Sequence, residues 1–270
     1  MSTPVNETKN HEIERLIHQA NCWLPETEEL FDTIDVHPGW KCLDLGCGPA
    51  GVLAPLSKRV GARGQVIGVD EDPHCVYAAK NFVKRKNLKN VEIIKGNIFK
   101  NPLDNDSFDL SHMRFVFNQE GCDQKLLESM IVLTRPGGVV VSQESDWTTW
   151  KCYPPQPSWD TLRDAMIALF EHSGGDINAG LRTYQMFSRA NLSAIKIRTA
   201  IFAMPVGHPY RSGLIQFALT MKERILSAGL LTETAYNESI KVCKEIIKDP
   251  SIIIFSYAVT QVWGLVSSKK

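Results

Sequence analysis

No stretch of this chain is apolar and long enough to span a bilayer, and Met1 to Asn10 lacks the apolar core of a secretion signal. Neither sign of charge is in excess. Lys+Arg and Asp+Glu number 30 each, so no global field favours nucleic acid or an anionic membrane as a partner. Paired cysteines are missing too: the seven are scattered, odd in number and without a CxxC spacing. That pattern points to reduced thiols in the cytoplasm and against a zinc site. No ordered His/Asp/Glu set suggests a metal, and there is no internal repeat. What remains is an ordinary globular composition, 43% hydrophobic and 22% charged over 270 residues, enough for a core domain with a sizeable cap.

Along the chain, His11–Cys22 and Glu26–Ile34 carry apolar residues at helical spacing. Short apolar runs then alternate with helical stretches. Strands are predicted at Lys41–Leu45, Gln65–Val69, Val91–Ile94, Ser107–Met113 and Val139–Ser142, and helices up to about Arg59, at Pro73–Lys86 and at Asp123–Leu133. Arg135-Pro136-Gly137-Gly138 reads as a turn before the fifth strand. Strands alternating with helices imply an α/β fold with a doubly wound, mostly parallel sheet, whose ligands sit beyond the carboxyl ends of the strands. Further on, Lys151–Pro157 reads as a loop, Thr161–His172 and Gly180–Ala190 as helices, and Ile195–Met204 as a strand. Helices at Tyr210–Ala228 and Glu233–Ile247 form a lid inserted before a final strand, Ile252–Trp263. The expected division is a helical cover over 1–37, a ligand-binding core over 38–150, and a C-terminal part over 151–270 that adds a substrate cap and the last strands.

Gly46-x-Gly48-x-x-Gly51 matches the dinucleotide fingerprint, and Asp70 ends a strand about twenty residues later. Glycines let backbone come close to a ligand, and an acid at the next strand's end accepts ribose hydroxyls. NAD and S-adenosylmethionine (SAM) both satisfy this pattern. Asp44, two residues before Gly46, separates them: a carboxylate there repels a pyrophosphate but suits the ammonium and sulfonium end of SAM. Gly96-Asn97-Ile98 adds a polar side chain to bond adenine and an apolar one to pack on it.

Leu43-Asp44-Leu45-Gly46-Cys47-Gly48, Gly68-Val69-Asp70, Gly96-Asn97-Ile98, Phe108-Asp109-Leu110 and Arg135-Pro136-Gly137-Gly138 together resemble the ordered motifs of class I SAM-dependent methyltransferases. The likeness is strongest to the ubiquinone/menaquinone C-methyltransferases and small-molecule enzymes, and covers roughly Pro38 to Ser142. It implies a Rossmann-like fold, SAM as cofactor with S-adenosylhomocysteine (SAH) as product, and a small-molecule acceptor. By the same resemblance Asp44 and the backbone of Gly46 and Gly48 hold the methionine moiety, Asp70 the ribose with Glu71 beside it, and Asn97 and Ile98 the adenine. Gln19 faces the cofactor from the leading helix, and Met113 and Arg114 line its methyl side. The family often has Asp where this chain has Asn97.

The acceptor side is less defined. His112, Glu144, Asp146, His208 and Tyr210 are candidates for removing a proton, each with a structural role as its alternative. Trp147, Trp150, Tyr153 and Trp159 follow the fifth strand and either stack on a flat substrate or form the core under the cap. His112, Trp147, Trp150, His208 and Tyr210 are therefore the substrate-side candidates. Two other readings stay open: an NAD-dependent oxidoreductase, and a SAM-binding protein without transfer.

Overall fold

A computed structural model describes residues 4–100, 102–117 and 122–268, with side chains from His11 onward. Two helices lead, α1 (Pro4–Cys22) and α2 (Leu24–Ile34). The alternating part follows as β1 (Lys41–Leu45), α3 (Leu53–Val60), β2 (Gln65–Asp70), α4 (Pro73–Arg85), β3 (Val91–Lys95), β4 (Phe108–Arg114), α5 (Asp123–Leu133) and β5 (Thr134–Asp146). The remainder runs β6 (Lys151–Tyr153), α6 (Pro157–His172), α7 (Gly180–Arg189), β7 (Leu192–Ala200), β8 (Ala203–Met204), α8 (Gly213–Thr220), α9 (Lys222–Ser227), α10 (Glu233–Ile246), β9 (Ile253–Phe255) and β10 (Ala258–Val266).

Seven strands form the main sheet in the order β3-β2-β1-β4-β5-β10-β7. The first five are parallel, and β10 runs antiparallel between β5 and β7. The strand order reverses between β1 and β4, so a crevice opens above their carboxyl ends. Helices cover both faces, which is why β1 is apolar at Cys42, Leu43 and Leu45, all fully buried, instead of alternating. Asp72 starts α4 by accepting the His74 amide, with Pro73 at the first helical position, so the chain turns sharply after β2. Among the described residues no helix is long and apolar enough to cross a membrane.

Several expectations are corrected. The expected turn Arg135–Gly138 lies inside β5 as an irregularity: pairing passes from Phe108↔Thr134 to Leu110↔Val139. Gly138 permits this, since a Cβ there meets the Asp109 carbonyl at 2.9 Å. The same strand continues past Ser142 to Asp146 because β10 pairs with every one of those extra residues. Lys151–Tyr153 is a strand, not a loop, and joins β9 and β8 in a small antiparallel sheet. Ile195–Met204 and Ile252–Trp263 each divide between the two sheets. At the second break the Ser256 amide donates to the Phe202 carbonyl, while Tyr257 turns wholly into the cap. Tyr210–Ala228 is likewise broken, into a short 3-10 turn and the helices α8 and α9.

The cap has its own core, built on Trp23, Trp147, Trp150, Trp159, Tyr236 and Tyr257. Its polar pin is Tyr257, whose hydroxyl accepts from Gln19 Nε2 at 2.8 Å and Trp23 Nε1 at 2.9 Å and lies 3.1 Å from the Tyr210 hydroxyl. α1, the turn before α8 and the start of β10 are thereby fastened together. Arg211 closes the far end of α10, donating to the carbonyls of Met204, Ile246, Ile247, Asp249 and Ile252.

Candidate active site

The β1–α3 turn must double back under a ligand, and its glycines make that possible. Gly46 and Gly51 sit at φ 70° and 44°. A Cβ on Gly46 meets Val116 Cγ2 at 2.6 Å, and one on Gly51 meets the Cys47 carbonyl at 2.4 Å and Asp44 Oδ2 at 2.6 Å. The turn is held from below: the Gly46 and Cys47 amides both donate to the Val69 carbonyl, at 2.8 and 3.0 Å. The Gly48 amide donates to Asp70 Oδ2 at 2.8 Å, and the Asp72 amide to Asp70 Oδ1 at 3.0 Å. Burial raises the Asp70 carboxyl above its usual range, against the lowering effect of those two amides. Burial also pushes the Cys47 thiol well above its ordinary range, as expected of a packing thiol, not a nucleophile.

Asp44 is 2% exposed, so it is not a solvated acid at a strand tip. Its Oδ1 accepts from His112 Nδ1 at 2.8 Å, and Oδ2 lies 3.4 Å from the Val52 amide. His112 Nε2 meets Gln143 Nε2 at 2.8 Å, and Gln143 Oε1 accepts from Gln261 Nε2 at 2.8 Å. With the oxygen of Gln143 so committed, its amide group donates to His112. The imidazole therefore accepts at Nε2 and carries its hydrogen at Nδ1, aimed at Asp44. Both ring nitrogens are thereby engaged, so His112 has none free to take a proton from a substrate.

One cavity of about 570 Å³ lies over this turn. Gln19, Asp44, Gly46, Gly48, Asp70, Glu71, Asn97, Ile98 and Arg114, expected on the cofactor side, all line it, and so does His112, expected on the substrate side. Asn97 Nδ2 donates to Glu71 Oε2 at 2.9 Å, tying the ends of β2 and β3 together at the rim. Met113 is the exception: strand alternation turns it to the other face of the sheet, where it is fully buried. The cavity's further wall comes from residues the sequence did not single out: Leu16, Phe115, Phe170, Phe217 and Met221, with Arg15 and Arg224. Arg15 is paired with Glu12 and stacks over the Phe217 ring at 3.9 Å. Phe115 holds φ 59°, a strained value for a bulky side chain, directly after β4. Nothing in the sequence marked that strain, and only its place after the fourth strand was a signal.

The remaining substrate-side candidates lie outside this cavity. Trp147 and Trp150 are buried in the cap core, where Trp147 stacks on Tyr257 and Trp150 on Tyr210. Tyr210 is 3% exposed and raised well above its ordinary range by burial. His208 starts the 3-10 turn by accepting the Tyr210 amide at 3.1 Å. Asp146 caps the turn after β5 through the Thr148 amide. Glu144 accepts from the Val116 and Phe117 amides at 3.1 and 3.2 Å behind the wall. Large aromatic side chains fill a core more often than they leave it hollow, and here the cap needed them.

Comparison with known proteins bears on the family and the fold. Residues 36–184, more than half of the chain, match the family model described as a methyltransferase domain. A demethylmenaquinone methyltransferase of Bacillus cereus is 32% identical over 155 residues, which is 57% of this chain and 60% of that protein. A 37.1 kDa protein in a Streptomyces fradiae transposon is 36% identical over 118 residues, 44% of this chain and 34% of that one. The chain thus spans between a third and three-fifths of the length of these curated relatives. Among solved structures, the YcgJ protein from Bacillus subtilis is similar with a TM-score of 0.56 at 16% identity, over 89% of this chain and 97% of that one. The geranyl diphosphate C-methyltransferase of Streptomyces coelicolor, solved with Mg2+, geranyl diphosphate and SAH, gives 0.53 at 16% identity, over 90% and 79%. At such identities the likeness is one of fold. The chain belongs to the methyltransferase domain family, in the class I SAM-dependent group with its mostly parallel Rossmann-like sheet. No comparison supports the oxidoreductase alternative.

Proposed function

We propose that this protein transfers the methyl group of SAM to a small, partly apolar molecule. The observation that carries the reading is the continuity of one cavity, from the glycine turn and Asp70 at one end to Phe115, Phe170, Phe217 and Met221 at the other. The donor set suits SAM: Asp70 stands where ribose hydroxyls donate, Asn97 and Ile98 where an adenine edge and face rest, and Asp44 beside a cationic methionine end. Gln19 closes the same side from α1. When bound, SAM supplies an electrophilic methyl on a sulfonium, a reaction whose rate depends chiefly on how the acceptor is held. The apolar wall holds the acceptor and excludes water, and the strained Phe115 sets its edge.

Calorimetric titration with SAM, SAH and NAD tests this. The two adenosyl ligands bind and NAD does not; Asp70→Ala lowers SAH affinity by at least about tenfold, as expected for loss of hydrogen bonds to a charged acceptor. Binding of NAD alone, or an unchanged SAH affinity in Asp70→Ala, refutes the reading.

A further inference from the structure

Arg114 differs from the other buried or half-buried arginines of the described chain. Arg15, Arg59, Arg163, Arg182 and Arg198 each meet a carboxylate. Arg211 meets none, but five backbone carbonyls saturate its guanidinium. Arg114 has neither arrangement: the one side-chain hydrogen bond it makes among the described residues runs from Nη1 to Thr27 Oγ1, at 3.0 Å. A guanidinium carries five N–H donors, and leaving a desolvated cation so poorly matched is costly unless something else completes it. The surface Arg114 keeps open belongs to the cavity wall. Burial lowers the pKa of this guanidinium from its ordinary value, and the nearby Asp44 charge opposes that.

The available anion is not Asp44, whose two oxygens are directed to His112 and the Val52 amide. Arg114 also leans toward the acceptor end, with its guanidinium 5.7 Å from the Phe115 ring. His112, two residues earlier in β4 and in the same cavity wall, has both nitrogens engaged. An acceptor that arrives already ionised requires no such base, and its charge offsets the sulfonium inside an apolar wall.

Resting on the methyltransferase reading, we infer that the acceptor is an apolar molecule carrying an anionic oxygen, and that this oxygen docks on the Arg114 guanidinium. Arg114 is then a specificity residue for the acceptor, not a contact of the cofactor.

The test is calorimetry on the full chain saturated with SAH, using matched probes that differ only in charge: cinnamate against cinnamamide, naphthoate against naphthamide, and decanoate against decanamide. At least one carboxylate binds about tenfold more tightly than its amide, in line with charge-assisted bidentate bonding. In Arg114→Gln that preference falls to within about twofold while SAH affinity holds; Arg114→Lys, a point charge without the fork, keeps part of it. Equal binding of both members of every pair, or a preference that survives Arg114→Gln, overturns the inference. So does a tenfold loss of SAH affinity in Arg114→Gln, which assigns the guanidinium to the cofactor's own carboxylate. If the wild type fails to bind SAH at all, the methyltransferase reading fails instead, so the two failures are distinguishable.

Discussion

Glu144 offers a stability prediction that follows from its surroundings. It lies in β5, fully buried, with Oε1 accepting the Val116 and Phe117 amides. Its Oε2 has no partner among the described residues, and neither does Asp123 Oδ1. Burial pushes the Glu144 carboxyl up to about 8, the two amides pulling it down and the Asp123 charge pushing it further. The folded protein therefore keeps a proton that the unfolded chain releases near its ordinary carboxyl range. The contribution of Glu144 to stability is full below the unfolded value, is lost as pH rises from about 4.5 towards 8, and is gone above that. A displacement of this size is worth about 5 kcal/mol if fully expressed, so a few kcal/mol is the expected loss across the window. Glu144→Gln keeps the carbonyl for the two amides, supplies a permanent donor towards Asp123 and removes the titration. Urea unfolding at half-unit steps between pH 5 and 9 reads the difference, with m compared between proteins to confirm that the same surface unfolds. The wild-type curve should fall away from that of Glu144→Gln as pH rises, leaving the variant the more stable by about 2 kcal/mol or more at pH 8.5. Parallel curves would falsify the claim that Glu144 is neutral in the folded state.

Other variants separate the remaining roles. Replacing His112 with Phe removes the donor that fixes Asp44, and SAH affinity should fall by about tenfold, the scale of one charge-assisted bond, while methylthioadenosine, which lacks the amino-acid end, binds as before. His112→Asn, which can still donate to Asp44, recovers part of that loss; equal losses for both ligands would mean a general collapse of the site. Tyr257→Phe leaves the Gln19 and Trp23 donors unpaired in the cap, costing about 1–3 kcal/mol of stability by thermal or urea unfolding. A Tyr257→Phe protein as stable as wild type would show that this hydroxyl fastens nothing.

The half of the cavity around the glycine turn and the strand ends was legible because its residues are carried by local sequence. A turn that needs left-handed backbone advertises its glycines, and acids at successive strand ends can be counted from the strands themselves. The far wall of the cavity was not legible, for reasons that residues make plain. His112, Met113 and Arg114 are adjacent in sequence, yet β4 alternation sends Met113 into the opposite core. Apolar stretches such as Ile252–Trp263 read as one strand, because periodicity has no signal for a chain that leaves one sheet and enters another. The aromatic cluster after β5 fitted a binding chamber and a packed core equally well, and only three-dimensional placement distinguishes them.

That placement changes where selectivity has to be sought. Trp147, Trp150, Tyr210 and Tyr257 pack against one another behind the cavity, so altering them acts first on the stability of the cap. Phe170 and Phe217 come from helices of that cap but line the cavity, as does Met221 between α8 and α9. Phe115 comes from the opposite side, directly after β4, where its amide donates to the Gln143 carbonyl at 3.0 Å. On the proposed function, the acceptor's apolar part is gripped between the end of β4 and a separately packed cap, and on the inference above Arg114 fixes its charged part beside the same strand end. Changing an aromatic of the wall should alter which acceptors fit without abolishing SAH binding, since none of those side chains comes from the glycine turn or from the ends of β2 and β3.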